Sequence, residues 1–432
     1  MSDLPLPQDW KDEPLSTLVE RLESGVSVNS EDKPCAPDEF GILKTSCVNG
    51  GKFDPSQNKV IVANEVVRAA LNPRADSVLI SRMNTFDLVG ETAYVGGDFP
   101  NLFVPDRLWQ TVIRGGLETS TKWLSFVVQS PGFRAGVSRA ATGTSGSMKN
   151  ISQGSYLAIR THIPPPRQQR RIAEILTTVD EAMEATEALV LKLEQMKAGL
   201  MHDLFTRGVT PDGHLRPTRQ EAPHLYHQTP LGWLPKEWEA DLLDKLSERG
   251  SGHTPDRHRP DFWNGGIKWV SLADSWRLDR LYISETDKEI SNAGIANSSA
   301  VLHPPGIVVL SRDAGVGKSA ITTSSMAVSQ HFMCWRCGPN LDNHFLYYWL
   351  QSQKRIFENI ATGTTIPTIG LRFFKHYRIA APLDVKEQQR IGSILQSTDA
   401  NIFALEDDLA KLRQQKQGLM QDLLTGRVPL KA

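Results

Sequence analysis

QRRIAEILTTVD at residues 169–180 returns as QQRIGSILQSTD at 388–399, and LKLEQMKAGLMHDLFTRGV at 191–209 returns as AKLRQQKQGLMQDLLTGRV at 410–428. Both pairs keep one offset: Ile172 and Ile391, Leu176 and Leu395, Asp180 and Asp399, Lys197 and Lys416, Gly199 and Gly418, and Asp203 and Asp422 all lie 219 positions apart. A repeat at one fixed spacing marks a duplicated unit. Each copy opens after proline (Pro164 to Pro166, or Pro382) and ends at Gly208 or Gly426, which predicts two long helices. At about 40 residues each they are roughly 60 Å long.

Apolar positions in the two segments alternate four and three. The stripes run Ile172, Leu176, Val179, Met183, Thr186, Val190, Leu193, Lys197, Leu200, Leu204 and Ile391, Leu395, Thr398, Ile402, Leu405, Leu409, Leu412, Lys416, Leu419, Leu423. This is a coiled-coil seam of about five heptads, with one lysine per seam able to fix register. The expected pairing is antiparallel, with a variable domain at each end of the rod. Two amphipathic helices docked separately on their own domains would fit the apolar spacing as well, but not the shared register.

Outside the helices the copies match loosely. Pro7 to Trp10 answers Pro235 to Trp238, Val78 to Arg82 answers Val308 to Arg312, and Thr142 to Thr144 answers Thr362 to Thr364. Short β-type runs (Lys59–Ala63, Ser77–Ser81, Ile267–Ser271, Gly306–Ser311) and a helical stretch over 343–359 predict mixed α/β domains with curved sheets. The expected fold class is therefore α/β (mixed): two α/β domains separated by two long antiparallel helices forming a coiled coil, with a pseudo-twofold internal repeat. The expected boundaries are 1–163 for the first domain, 164–209 for the first spacer helix, 210–232 for a linker, 233–381 for the second domain and 382–432 for the second spacer helix.

Formal net charge is −1. A lone non-specific nucleic-acid binder would carry a basic excess, so any DNA contact must use local patches. Polar loops with a basic bias supply them. In the second domain these hold His253, Thr254, Arg257, Arg259, Arg312, Lys318, Thr364 and Thr365; in the first, Ser81, Arg82, Asn84, Arg139, Thr144, Ser145 and Lys149. Arg and Lys can bridge guanine O6 and N7, Asn can pair with adenine, and hydroxyls can anchor phosphate.

Four cysteines are too few for a disulfide framework, and the acidic start MSDLPLPQDWKDEP lacks a signal-like apolar region, so a cytoplasmic location is expected. No apolar run is long enough to span a membrane. Gly315-Val-Gly317-Lys318-Ser319 imitates part of a phosphate-binding loop, but Arg312 stands where its first glycine belongs. Cys334-Trp-Arg-Cys337 is a single C-x-x-C without a second ligand pair, and reads as two half-buried thiols on a strand. An NTPase or nuclease using the 315–319 loop and a purely protein-binding coiled-coil adaptor remain as alternative functions.

The Pro-then-Gln-Gln-Arg-x-Ile-x-x-Ile-Leu helix start, the K-x-G-L-M-x-D-L helix end and Gly232-Trp-Leu-Pro-Lys-Glu-Trp238 resemble the specificity subunits of type I restriction-modification systems. The resemblance covers essentially the whole chain. It implies a non-catalytic subunit whose two target-recognition domains each read half of a bipartite double-stranded DNA sequence, with the helices setting the gap and docking two methyltransferase subunits. Motor-nuclease restriction subunits then join. This chain would hold no cofactor, and S-adenosylmethionine, ATP and Mg would belong to the partners. The first copy departs in having Ser24-Gly25-Val26-Ser27 in place of the Gly-x-Thr-Pro of Gly252–Pro255, and Gly90-Glu91 in place of Gly317-Lys318, so its contacts are harder to place.

Overall fold

A computed structural model describes residues 6–143, 148–363 and 366–428. The chain forms two units, one of residues 1–187 with 407–432 and one of residues 188–406. The long helices are Pro166–Arg207 and Val385–Thr425, and each contributes to both units. They stop where expected: Gly208 and Gly426 have φ of +64° and +74°, the left-handed turn that glycine takes without a Cβ penalty.

In the first unit a four-stranded antiparallel sheet runs in the order Thr92–Val95, Ser77–Ser81, Leu108–Ile113, Val19–Ser24. Helices Thr121–Gln129 and Pro131–Ala140 follow, and strand Lys11–Pro14 pairs with Arg160–Ile163 just before the first long helix. A second small sheet of Ser30–Glu31, Asn58–Ile61, Gly41–Leu43 and Leu102–Phe103 lies at the strands' other connections. The core joins Val19, Ile80, Trp109 and Trp123 to Ile172 and Leu176 of the first long helix and Leu423 and Leu424 of the second. Start meets end, so the helices are antiparallel here.

The second unit repeats this plan. Its sheet runs Ser247–Ser251, Phe332–Cys337, Val308–Ser311, Ser319–Thr322, with Tyr282–Ile283 added at the edge. Helices Asn343–Ser352 and Lys354–Ile360 follow, and Trp238–Leu242 pairs with Arg378–Pro382 before the second long helix. Leu204 and Phe205 share its core with Ile391 and Leu395, again an antiparallel pairing. Every stripe position of both long helices is buried or half-buried. The expected single helix over 343–359 breaks at Gln353. Residues 210–232, expected as a linker, hold a strand: Tyr226–Thr229 forms a hairpin with Gly232–Pro235.

The repeated helix-start glutamines explain why that motif recurs. Gln169 is buried; its amide donates to the Pro164 carbonyl (2.9 Å) and accepts from the Ser120 N–H (3.0 Å), at the N-cap of Thr121–Gln129. Gln388, also buried, donates to the Pro382 and Asn340 carbonyls (2.8 and 3.0 Å) and accepts from the Asp342 N–H (2.8 Å), at the N-cap of Asn343–Ser352. Each glutamine satisfies buried backbone groups and so ties its long helix to its own domain. The seam lysines are paired too. Lys416 meets Asp180 (2.6 Å) in the first unit, and Lys197 meets Asp399 (2.5 Å) in the second.

Candidate nucleic-acid interface

Two glycines locate equivalent loops. A side chain at Gly25 would collide with the Val104 carbonyl oxygen, and one at Gly252 with that of Val328. Each loop therefore passes against the end of a short strand with no room for a Cβ. Two residues beyond Gly25, the Ser27 hydroxyl donates to Asp106 (2.5 Å); two beyond Gly252, the Thr254 hydroxyl donates to the Gln330 amide oxygen (2.6 Å). Asp106-Arg107 and Gln330-His331 form the turns that open strands Leu108–Ile113 and Phe332–Cys337. The first domain thus does possess the loop it was expected to lack, with serine doing the work of threonine.

In the second unit this turn is tightly held. Arg312 donates to the Gln330 carbonyl (3.0 Å) and the Ile369 carbonyl (2.9 Å). Asp313 is buried and accepts from His331 Nδ1 (2.7 Å). With the ring proton on Nδ1, His331 Nε2 accepts from the Gln330 amide nitrogen (3.4 Å). Arg312 is accordingly a positioning residue in this structure, its guanidinium engaged by backbone.

The other expected contact residues sit as follows. Ser81 is fully buried at a strand end and accepts from Asn84 (3.4 Å). Arg82 is half-buried with its guanidinium 5.9 Å from the Trp109 ring. Arg139 is exposed in the last turn of its helix, and Lys149 donates to the Gly143 carbonyl (2.9 Å). His253 and Arg257 are exposed beside Thr254. Arg259 pairs with Asp261 (2.9 Å) over the Phe262 ring. Lys318 donates to the Ser275 carbonyl (3.1 Å). Thr144, Ser145, Thr364 and Thr365 lie outside the described residues.

Asp106, Arg107, Gln330 and His331 were missed from the sequence because the copies differ there. The signal that could have found them was the pair Gly25 and Gly252, which brings residue 106 opposite 330.

The 315–319 loop is a turn between strands Val308–Ser311 and Ser319–Thr322. A phosphate-binding loop feeds a helix N-terminus, and here a strand follows. Cys334 and Cys337 lie on strand Phe332–Cys337, where burial pushes both thiols up to about 12. Among the described residues no group of three or more His, Cys, Asp or Glu could hold a metal ion, and no helix is long and apolar enough to cross a membrane.

The sequence profile of the type I restriction modification DNA specificity domain matches residues 235–413. The putative type I restriction enzyme MjaX specificity subunit of Methanocaldococcus jannaschii is 20% identical over 99% of this chain and 95% of its own length. The MjaIX specificity subunit of the same organism is 25% identical over 40% of each chain, so that match spans well under half of the relative. The crystal structure of a type I restriction-modification S subunit from M. genitalium shares the fold, with 13% identity, 99% coverage of both chains and a TM-score of 0.59. A chain from a study of complex assembly and conformational transition of the type I R-M system has 17% identity, covers 98% of this chain and 100% of its own, and has a TM-score of 0.57. The duplicated sheet-and-helix plan is the fold of these solved structures. Along its whole length the chain is similar to type I restriction-modification specificity subunits, and residues 235–413 match their DNA specificity domain.

Proposed function

We propose that this chain reads a bipartite double-stranded DNA target, one half-site per domain, and carries no chemistry of its own. The observation that supports this most is the pair of loop-and-turn assemblies at Gly25–Asp106 and Gly252–Gln330, the same backbone bearing different side chains. A shared scaffold with unlike polar tips suits two half-sites of unlike sequence. His253 and Arg257, exposed beside Thr254, together with Arg82 and Arg139 of the first domain, would supply phosphate or base contacts. The long helices set the gap between half-sites and dock two methyltransferase subunits, which motor-nuclease subunits then join. S-adenosylmethionine, ATP and magnesium belong to those partners.

The test is a footprint of the full chain with its methyltransferase subunits. Two short protected blocks flanking an unprotected gap are expected. One continuous block, or no protection, overturns the reading. ATP turnover by this chain alone, lost in Lys318→Ala, would overturn the non-catalytic assignment.

A further inference from the structure

We propose that Gln330 is the adenine reader of the second domain, and that Asp106, its counterpart in the first domain, reads cytosine. The inference rests on the DNA-reading function above and assigns it to particular atoms.

The Gln330 amide is fixed at both ends. Its oxygen accepts from Thr254 and its nitrogen donates to His331, which Asp313 orients in turn; Arg312 holds its backbone. A primary amide has two acceptor lone pairs and two N–H donors. One of each is used, which leaves one acceptor and one donor on a half-exposed, locked side chain. Adenine presents the complement in the major groove, an N7 acceptor beside an N6 donor, and the Gln–adenine pair uses both. Among the single bases only adenine offers an acceptor and a donor side by side on its own edge. Fixing the amide before binding removes the rotamer cost that a free glutamine would carry.

Asp106 occupies the same place with a different inventory. It is exposed, and one of its oxygens accepts from Ser27. An ionised carboxylate only accepts. Facing the phosphates of DNA it is repelled, so such a residue is tolerable at the interface only where a base amino group meets it. Cytosine N4 offers that group without the flanking N7 acceptor that adenine carries beside its N6, which a carboxylate cannot satisfy. Arg107, exposed beside it, can reach the O6 and N7 of the paired guanine or an adjacent phosphate.

The experiment is selection of the full chain, with its methyltransferase subunits, against duplexes randomised in both half-sites. Wild type should require A·T at one position of the second half-site and C·G at one position of the first. Gln330→Asp should move only the first of these, from adenine toward cytosine, and Asp106→Gln should move only the other, toward adenine. Discrimination at the affected position should change by about 5- to 150-fold. Gln330→Ala adds no charge and should erase the preference there with the other positions intact. Thr254→Val should weaken it while leaving total affinity near wild type. An unchanged preference in Gln330→Asp and Gln330→Ala, or changes spread over both half-sites, overturns the assignment. In either case a wild-type bipartite preference would leave the DNA-reading function standing; a wild type with no sequence preference would sink that function itself.

Discussion

Residue 168 and residue 387 hold the same place in the two units but do so with different chemistry. In the first unit Gln168 accepts from the Trp10 indole N–H (2.8 Å) and donates to Asp9 (2.6 Å), all near the surface. In the second, Glu387 is buried. It accepts from the Trp238 indole N–H (3.0 Å) and the Val209 N–H (2.9 Å), and is clamped by Arg216 at 2.5 and 2.8 Å. Duplication has kept the tryptophan and its acceptor while one copy became ionic. A buried carboxylate is sustained only by its partners, and the Glu387 interaction holds the Arg216 guanidinium above its ordinary range against the opposing effect of burial.

Removing Arg216 should therefore give the largest effect of any single change in this frame. Arg216→Met leaves Glu387 buried and unpaired, and should cost about 3–5 kcal/mol in urea denaturation. Gln168→Ala, at the matching place, should cost only about 1 kcal/mol. Adding Glu387→Gln to Arg216→Met recreates the neutral arrangement of the first unit and should restore much of the loss. Equal costs for the two single variants would show that the ionic copy is no more demanding than the neutral one.

Next in size come the two glycines. Because Gly25 and Gly252 face backbone oxygen atoms rather than flexible side chains, Ala at either position must displace a strand end. Each substitution should cost about 1–3 kcal/mol, and should raise protease sensitivity of its own loop only. Free tolerance at Gly25 with intolerance at Gly252 would break the equivalence of the loops.

What the sequence made legible was whatever obeys a period or a backbone rule. The seam positions are buried or half-buried along both helices, and the helices end at glycines with positive φ. Such features follow from repetition and sterics, which adjacent residues reveal. The candidate interface was only partly legible. Arg312 has the right side chain to read guanine, yet its guanidinium bonds carbonyls contributed by residues 330 and 369. Composition states what a side chain can do and not which partner the fold supplies. Gln330 and Asp106 escaped for the opposite reason. They differ between copies, so no repeat marks them, and only the shared glycine contacts bring them into register. The helical stretch after Leu341 hid its break because nothing in the Gln351–Gln353 sequence forbids helix.

The smallest predicted effect concerns the two seam ion pairs. Lys197 and Lys416 each lie 5.7 Å from an aromatic ring, that of Tyr348 in the second unit and Phe126 in the first. The rings occupy matching positions in their helices, but only Tyr348 has a hydroxyl, which donates to Asp399 (2.9 Å) alongside Lys197. Asp180 has Lys416 and no such hydroxyl. Tyr348→Phe should thus make the second pair resemble the first, at a cost of about 1.5 kcal/mol, the low end for a hydrogen bond to a charged group, because Lys197 still pairs the carboxylate. The converse sharpens the comparison. Phe126 and Asp180 line a cleft of about 340 Å³ that also holds Lys416, so Phe126→Tyr tests whether a hydroxyl there can join the pair. It should stabilise the first unit by a few tenths of a kcal/mol to about 1 kcal/mol, read as a shift in denaturation midpoint with an unchanged slope. A loss of stability there would mean that the aromatic rings share a position but not an orientation, and that the two ion pairs owe their likeness to the lysines and aspartates alone.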